Sequence, residues 1–179
     1  MTDEKYTYDD FVNIIRRLRA PDGCPWDREQ THESLKMGMI EEAYEVLEGI
    51  DILSKSGDAS NLCEELGDVL LQVVMHAEIA SESGLFDMTD VTDRVSRKMI
   101  LRHPHVFGDA DPEMTSEKVL LNWEEIKRRE KEGRPDPAQI FTPEERESNY
   151  EEVIRLLVKG MKKRGADPER ILKKALQEL

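Results

Sequence analysis

The chain has 179 residues, 38% of them hydrophobic and 36% charged, and a formal net charge of −13. That is enough for one domain with an ordinary core, with or without an appendage, and the acidic balance excludes nucleic-acid binding through a broad basic face. No run approaches the ~18 apolar residues of a membrane span, Met1 to Tyr8 carries no apolar leader, and Cys24 and Cys63 read as reduced thiols; a cytoplasmic protein with no membrane partner is expected.

The chain reads as all-α, with no strand pattern of any length. A first helix spans about Tyr8 to Arg19, with Thr7 as N-cap, Asp10 as its box partner and Phe11, Ile14, Ile15 and Leu18 as the apolar stripe. Residues 20–30, APDGCPWDREQ, read as an irregular loop because two prolines and a glycine interrupt them. Thr31 caps a second helix ending near Ile50, and residues 51–60 form a polar connection. Asn61 caps a third helix, with Glu64 as partner, that runs to about Ser83 and stops at Gly84. A fourth helix starts after Thr89 and stops before Pro104. A fifth covers about Ser116 to Glu132 and ends at Gly133. Residues 134–141 are a proline-containing linker. Thr142, Pro143 and Glu145 then start a sixth helix that reaches Arg164, and Asp167 and Pro168 start a last short one. The linker divides a main unit, 1–133, from a helical tail, 134–179.

The second helix carries Glu41, Glu42, Glu45 and Glu48 on one arc, opposite Ile40, Ala43, Tyr44 and Leu47. Alone this is an amphipathic helix with a wet acidic face. The third helix is different. Apolar residues cover most of its circumference, as in a buried helix, yet Glu65, Asp68, Gln72 and His76 form one narrow polar stripe. No Lys or Arg lies between Glu64 and Glu82, and carboxylates away from water need a counter-charge or a metal. A short connection makes the two helices antiparallel neighbours, so Glu42 and Glu45 can face Glu65 and Asp68. Four converging carboxylates call for a divalent cation, and an all-oxygen donor set favours Mg²⁺, with Mn²⁺ as the alternative, over zinc. Mg²⁺ takes phosphate oxygens as further ligands, which implies a phosphorylated substrate. The competing reading is a polar stripe closed by Lys or Arg from another helix.

Five segments occur in a familiar order: GCPWDREQTH at 23–32, EEAYE at 41–45, ELGD at 65–68, RHPHVFGD at 102–109 and NWEEIK at 122–127. Over about residues 8–133 this resembles the MazG family of nucleoside triphosphate pyrophosphohydrolases, within the all-alpha NTP pyrophosphatase superfamily. The resemblance implies a four-helix-bundle core, a homodimer or higher oligomer, and Mg²⁺-dependent hydrolysis of nucleoside triphosphates to the monophosphate and pyrophosphate. It implies metal ligation by Glu42, Glu45, Glu65 and Asp68, with Glu41 orienting or deprotonating the attacking water. It also places Lys98 and Arg102 on phosphate, and Trp123 and Lys127 in a nucleotide-contacting segment, with Trp26, Asp27 and Gln30 in a loop that can close over the nucleotide. By periodicity Trp123 fits a core stripe with Val119 and Ile126 equally well, and Trp26 can be a loop anchor. The chain has one copy of the domain where longer members have two. The alternatives are a non-catalytic helical module that binds nucleotide or protein, and a pyrophosphohydrolase restricted to one modified or pyrimidine nucleotide.

Overall fold

The structure, a computed structural model, describes residues 5–109 and 114–178, without the side chains of 137 and 138; residues 1–4 of the polar N-terminal segment lie outside that set. The described residues are helical, with no strand among them. In chain order the α-helices are α1 (Tyr8–Arg19), α2 (Pro25–Glu29), α3 (His32–Ser56), α4 (Ser60–Glu82), α5 (Met88–Arg102), α6 (Pro104–Phe107), α7 (Ser116–Lys131), α8 (Pro143–Lys163) and α9 (Pro168–Gln177), with a 3₁₀ turn at Pro137–Ile140. No helix among the described residues is long and apolar enough to cross a membrane.

Local chemistry sets the boundaries. Thr7 and Asp10 form a reciprocal capping box at α1, and Thr142 and Glu145 form one at α8 with Pro143 in the first turn. Gly84, Gly133 and Gly165 follow their helices with φ of 65°, 72° and 74°, the left-handed stop that glycine makes without strain. Several expectations shift. The second predicted helix, α3, does not end at Ile50 but runs on to Ser56, where Gly57 (φ 76°) caps it. Ile52 and Leu53 extend its apolar content past the expected end. Asn61 does not cap α4: Asp58 accepts from the Ser60 amide and hydroxyl, and Asn61 lies inside the helix. Asp87, paired with Asp90, caps α5 in place of Thr89. PWDRE closes a short helix inside the expected loop, because proline is well placed in a first helical turn.

The chain divides into two compact units, residues 1–24 with 74–137 and residues 25–73 with 138–179. In the first, α1 lies along the C-terminal half of α4. Ile15, Val74, Met75, Ala77 and Ala80 are buried, and Arg19, itself buried, donates to the Glu82 carboxylate at 2.6 and 2.7 Å. Gly23 has no room for a side chain, since a Cβ would come within 2.2 Å of the Leu18 carbonyl oxygen. α5 packs against α6 and α7.

In the second unit α3 and the N-terminal half of α4 run antiparallel in a register that two glycines fix. A Cβ on Gly38 would meet Gln72 at 3.0 Å, and one on Gly49 would meet the Leu62 Cα at 2.9 Å. Pairing 38 with 72 and 49 with 62 places 42 opposite 68 and 45 opposite 65. Gln72 is therefore a packing residue, buried against Gly38. The expectation that α4 is apolar and buried all round holds for its second half; Leu66 and Cys63 in the first half are exposed. The tail belongs to this unit: α8 packs on α3 and α9 on α8.

Candidate metal centre

Glu42 and Glu45 stand one helical turn apart on α3, and Glu65 faces them from α4. One carboxylate oxygen from each lies within 4.8 Å of the other two. Asp68 is outside this close group but near enough to act on Glu42. The Glu42 carboxyl titrates above its ordinary range, first because it is partly buried, then because Asp68, Glu45, Glu41 and Glu65 all repel its charge. Asn61 donates to Glu65 at 2.8 Å and fixes its orientation. The donor set holds oxygen alone, without thiol or imidazole, which fits a hard divalent cation and not zinc.

One cation reaches the edge of the cluster. Arg164, at the C-terminal end of α8, donates to Glu48 at 2.7 Å and to Glu45 at 3.2 Å, and its guanidinium lies 5.2 Å from the Tyr44 ring centroid. It engages one of the three clustered carboxylates and leaves Glu42 and Glu65 without a basic partner among the described residues. The competing expectation concerned the α4 stripe Glu65, Asp68, Gln72 and His76, whereas Arg164 pairs with Glu45 and Glu48 on α3. Further along α4, Glu78 and Glu82, outside that stripe, pair with Arg16 and Arg19.

The other candidates have their own local settings. Gln30 donates to the Trp26 carbonyl at 3.0 Å and accepts from the Ser34 hydroxyl at 2.8 Å, so it buttresses the start of α3. Trp26 is 63% exposed. Lys98, Arg102, Trp123 and Lys127 belong to the first unit. There Arg102 pairs with Glu130 at 2.5 Å, an interaction that lowers the Glu130 pKa, and Lys127 pairs with Glu124 at 3.3 Å. Trp123 lies beside His103, ring centroids 6.2 Å apart, with its indole N–H buried and without a hydrogen-bond partner among the described residues. Asn61 and Glu48 have other roles in the sequence reading, a helix cap and part of a wet acidic arc, and Arg164 has only that of a helix end. Arg164 carries a signal all the same: it continues the stripe Val153, Leu156, Leu157, Gly160, Met161 at helical spacing.

Residues 30–107 match the MazG nucleotide pyrophosphohydrolase domain. Over this segment the chain is similar to the MazG family. The match takes in all four predicted metal ligands, Lys98 and Arg102, and leaves Trp26, Trp123 and Lys127 outside. Among its relatives, a Bacillus subtilis protein named "Uncharacterized protein YabN" is 52% identical over 132 residues, 72% of this chain and 26% of the relative. The Thermotoga maritima "Nucleoside triphosphate pyrophosphohydrolase/pyrophosphatase MazG" is 51% identical over 124 residues, 69% of this chain and 45% of that one. The Escherichia coli K12 "Nucleoside triphosphate pyrophosphohydrolase" is 46% identical over 124 residues, with the same coverage of each. The chain therefore spans between a quarter and a half of these curated relatives.

Proposed function

We propose that this chain is a Mg²⁺-dependent hydrolase that converts nucleoside triphosphates to the monophosphate and pyrophosphate. The observation that carries the reading is the convergence of Glu42, Glu45 and Glu65 within 4.8 Å, with Asp68 close enough to repel Glu42. Like charges gathered this way are costly without a counter-ion. Glu42, Glu45, Glu65 and Asp68 would hold the ion, with Mn²⁺ as a substitute; when bound, it offsets phosphate charge and makes a water a better nucleophile. Asn61 holds Glu65 in place through its amide. Glu41, exposed beside the cluster, would orient the water or take its proton. The water oxygen forms a bond to the α-phosphorus, the bond from that phosphorus to the bridging oxygen breaks, and pyrophosphate leaves.

The names of the Thermotoga and Escherichia relatives support the reaction class. Substrate roles for Lys98, Arg102, Trp123 and Lys127 rest on the family resemblance, and phosphate would have to compete with Glu130 for Arg102. A homodimer or higher oligomer belongs to the same proposal; exposed Val95, Ile100 and Leu101 on α5 and Leu120 and Leu121 on α7 support it. The test is to incubate the chain with a panel of NTPs and dNTPs plus Mg²⁺ and resolve the products. Monophosphate and pyrophosphate are expected, and NDP with orthophosphate rejects the bond assignment. The rival, a non-catalytic docking module, draws on the Arg164 pairs; it predicts thermal stability indifferent to Mg²⁺ plus nucleotide, where the hydrolase predicts stabilisation.

A further inference from the structure

Packing against Gly38 accounts for most of the Gln72 side chain and leaves one atom over. Gln72 is 9% exposed, and its carboxamide oxygen, Oε1, is buried with no hydrogen-bond partner among the described residues. A buried acceptor without a donor is costly, and each such group calls for an explanation, a water or an ion among them. The place of this one is informative. The carboxamide lies in the seam between α3 and α4, where a Cβ on Gly38 would stand 3.0 Å from Nε2 and 3.4 Å from Oε1. Glu42 follows Gly38 by one turn on α3, and Asp68 precedes Gln72 by one turn on α4. The orphaned oxygen therefore belongs to the turn next to the Glu42–Asp68 pair, within one compact unit.

We infer that Gln72 is a positioning residue of the metal centre, whose Oε1 accepts a hydrogen bond from a water in the hydration shell of the divalent cation. The inference rests on the proposal that the carboxylates hold such a cation, and adds a residue that carboxylate spacing does not single out. On α4 the pair Glu65 and Asp68 is flanked by two carboxamides. Asn61, one turn before Glu65, donates to its carboxylate at 2.8 Å. Gln72, one turn after Asp68, presents an oxygen instead. An acceptor needs a donor, and the ionised carboxylates of Glu42, Glu45 and Glu65 offer none. A hydrated Mg²⁺ supplies the missing donors: it keeps several of its waters, and its charge makes their hydrogens strong donors. Reach agrees. Mg²⁺ holds water at about 2.1 Å, and that water reaches an acceptor about 2.8 Å further on, so the shell spans roughly one helical turn, ~5.4 Å. Charge agrees too. A neutral oxygen orders the water without adding to the repulsion that Asp68, Glu45, Glu41 and Glu65 already exert on Glu42.

Calorimetric titration of the metal-free full chain with Mn²⁺ tests this without turnover. Gln72→Met keeps the length of the side chain and its helix propensity and removes the oxygen. Its Mn²⁺ dissociation constant should rise about tenfold or more, as when other outer partners of a metal are removed. Its thermal midpoint in EDTA should rise by about 2–4 °C, because the orphaned acceptor is gone. A residue that only packs would shift the midpoint and leave the affinity alone. Gly38→Ala is the second variant. Its Cβ presses on the carboxamide and displaces Oε1, so Mn²⁺ binding should weaken, and the double variant should bind no more weakly than Gln72→Met alone. If the wild type binds Mn²⁺ and Gln72→Met binds it as tightly, or the two changes weaken binding additively, the role of Gln72 is overturned and the metal centre stands. Should Gln72→Met not fold, unchanged Mn²⁺ affinity in Gly38→Ala overturns it equally. If the wild type binds no Mn²⁺, with or without a non-hydrolysable NTP analogue, the metal centre falls and the role of Gln72 with it.

Discussion

Gly49 is the point at which the carboxylate cluster, the candidate metal centre, depends on backbone contact. It is buried in α3, and a Cβ built there falls 2.9 Å from the Leu62 Cα and 3.2 Å from the Leu62 amide nitrogen. Those are main-chain atoms of α4, so no rotamer change relieves the contact and the two helices must separate. Overpacking of this kind costs about 1–3 kcal/mol, and the upper end applies where backbone must move. Alanine returns about 1 kcal/mol in helix propensity, which leaves Gly49→Ala about 2 kcal/mol less stable. For a chain of this size that is a fall of about 4–8 °C in thermal midpoint. Gly67, in α4, supplies the contrast: nothing lies within 4 Å of a Cβ built there, so Gly67→Ala should gain up to about 1 kcal/mol, or about 2–4 °C. Separation at Gly49 also draws Glu45 away from Glu65, one turn along, so Gly49→Ala should bind Mn²⁺ more weakly. Calorimetry and Mn²⁺ titration of both variants check this. A Gly49→Ala protein as stable as Gly67→Ala, with unchanged Mn²⁺ affinity, refutes the close approach and the register derived from it.

Asp68→Asn should lower kcat by more than about 100-fold, since disturbing even the outer partners of a metal ligand costs up to that much, while circular dichroism stays helical; full activity would remove Asp68 from the centre. The raised pKa of Glu42 means the folded state holds that proton more tightly than the unfolded chain. Its contribution to stability is full below the ordinary value of 4.5 and is lost as pH rises through the raised folded value. In EDTA at neutral pH, Glu42→Gln should therefore melt higher than the wild type, and the advantage should shrink as pH falls; a lower melting point at neutral pH contradicts the crowding. Arg164→Ala takes a cation from Glu45, so Mn²⁺ alone should bind about two- to fivefold more tightly, the worth of an exposed ion pair. Unchanged Mn²⁺ affinity would show that Glu45 ligates nothing. Light scattering should give the mass of a dimer or larger; a monomer at micromolar concentration rejects the oligomer proposal.

Helical periodicity and capping chemistry carry most of the fold, because both are local. Thr7 with Asp10, Thr142 with Pro143 and Glu145, and the glycines after α4, α7 and α8 are readable from neighbours three or four residues apart. The failures are local competitions between residues of similar chemistry: Asp58 and Asp87 win the caps assigned to Asn61 and Thr89, and Asn61 is left to serve Glu65. The facing of Glu42 and Glu45 with Glu65 was legible for a reason that spacing alone does not supply. Carboxylate pairs at i and i+3 on two helices fix only which faces are acidic. Their convergence needs a register: at Gly49 the helices approach closely enough to exclude a side chain, and at Gly38 a Cβ would press on the Gln72 side chain. Both glycines sit in an otherwise strong helix pattern, where each is a local liability. That cost is offset in the packed state, and it marks the close approach.

What could not be read was where the tail packs. A proline-bearing linker after α7 separates α8 in sequence from α3, yet α8 packs on α3, because the stripe from Val153 to Met161 needs an apolar partner. The consequence reaches the chemistry. Arg164, at the end of that stripe, is brought to Glu45 and Glu48 from 119 and 116 residues away, a distance at which no periodicity argument operates. A cation beside a cluster of carboxylates can neutralise it or hand it over to a metal. The two outcomes differ in what Arg164 does when the ion arrives: a neutralising arginine resists Mn²⁺, whereas one that turns to phosphate resists Mn²⁺ alone but assists Mn²⁺ with nucleotide. Arg164→Ala should therefore tighten the metal alone in either case, and its effect on the metal–nucleotide pair separates the two: tighter if the arginine only neutralises, weaker if it turns to phosphate.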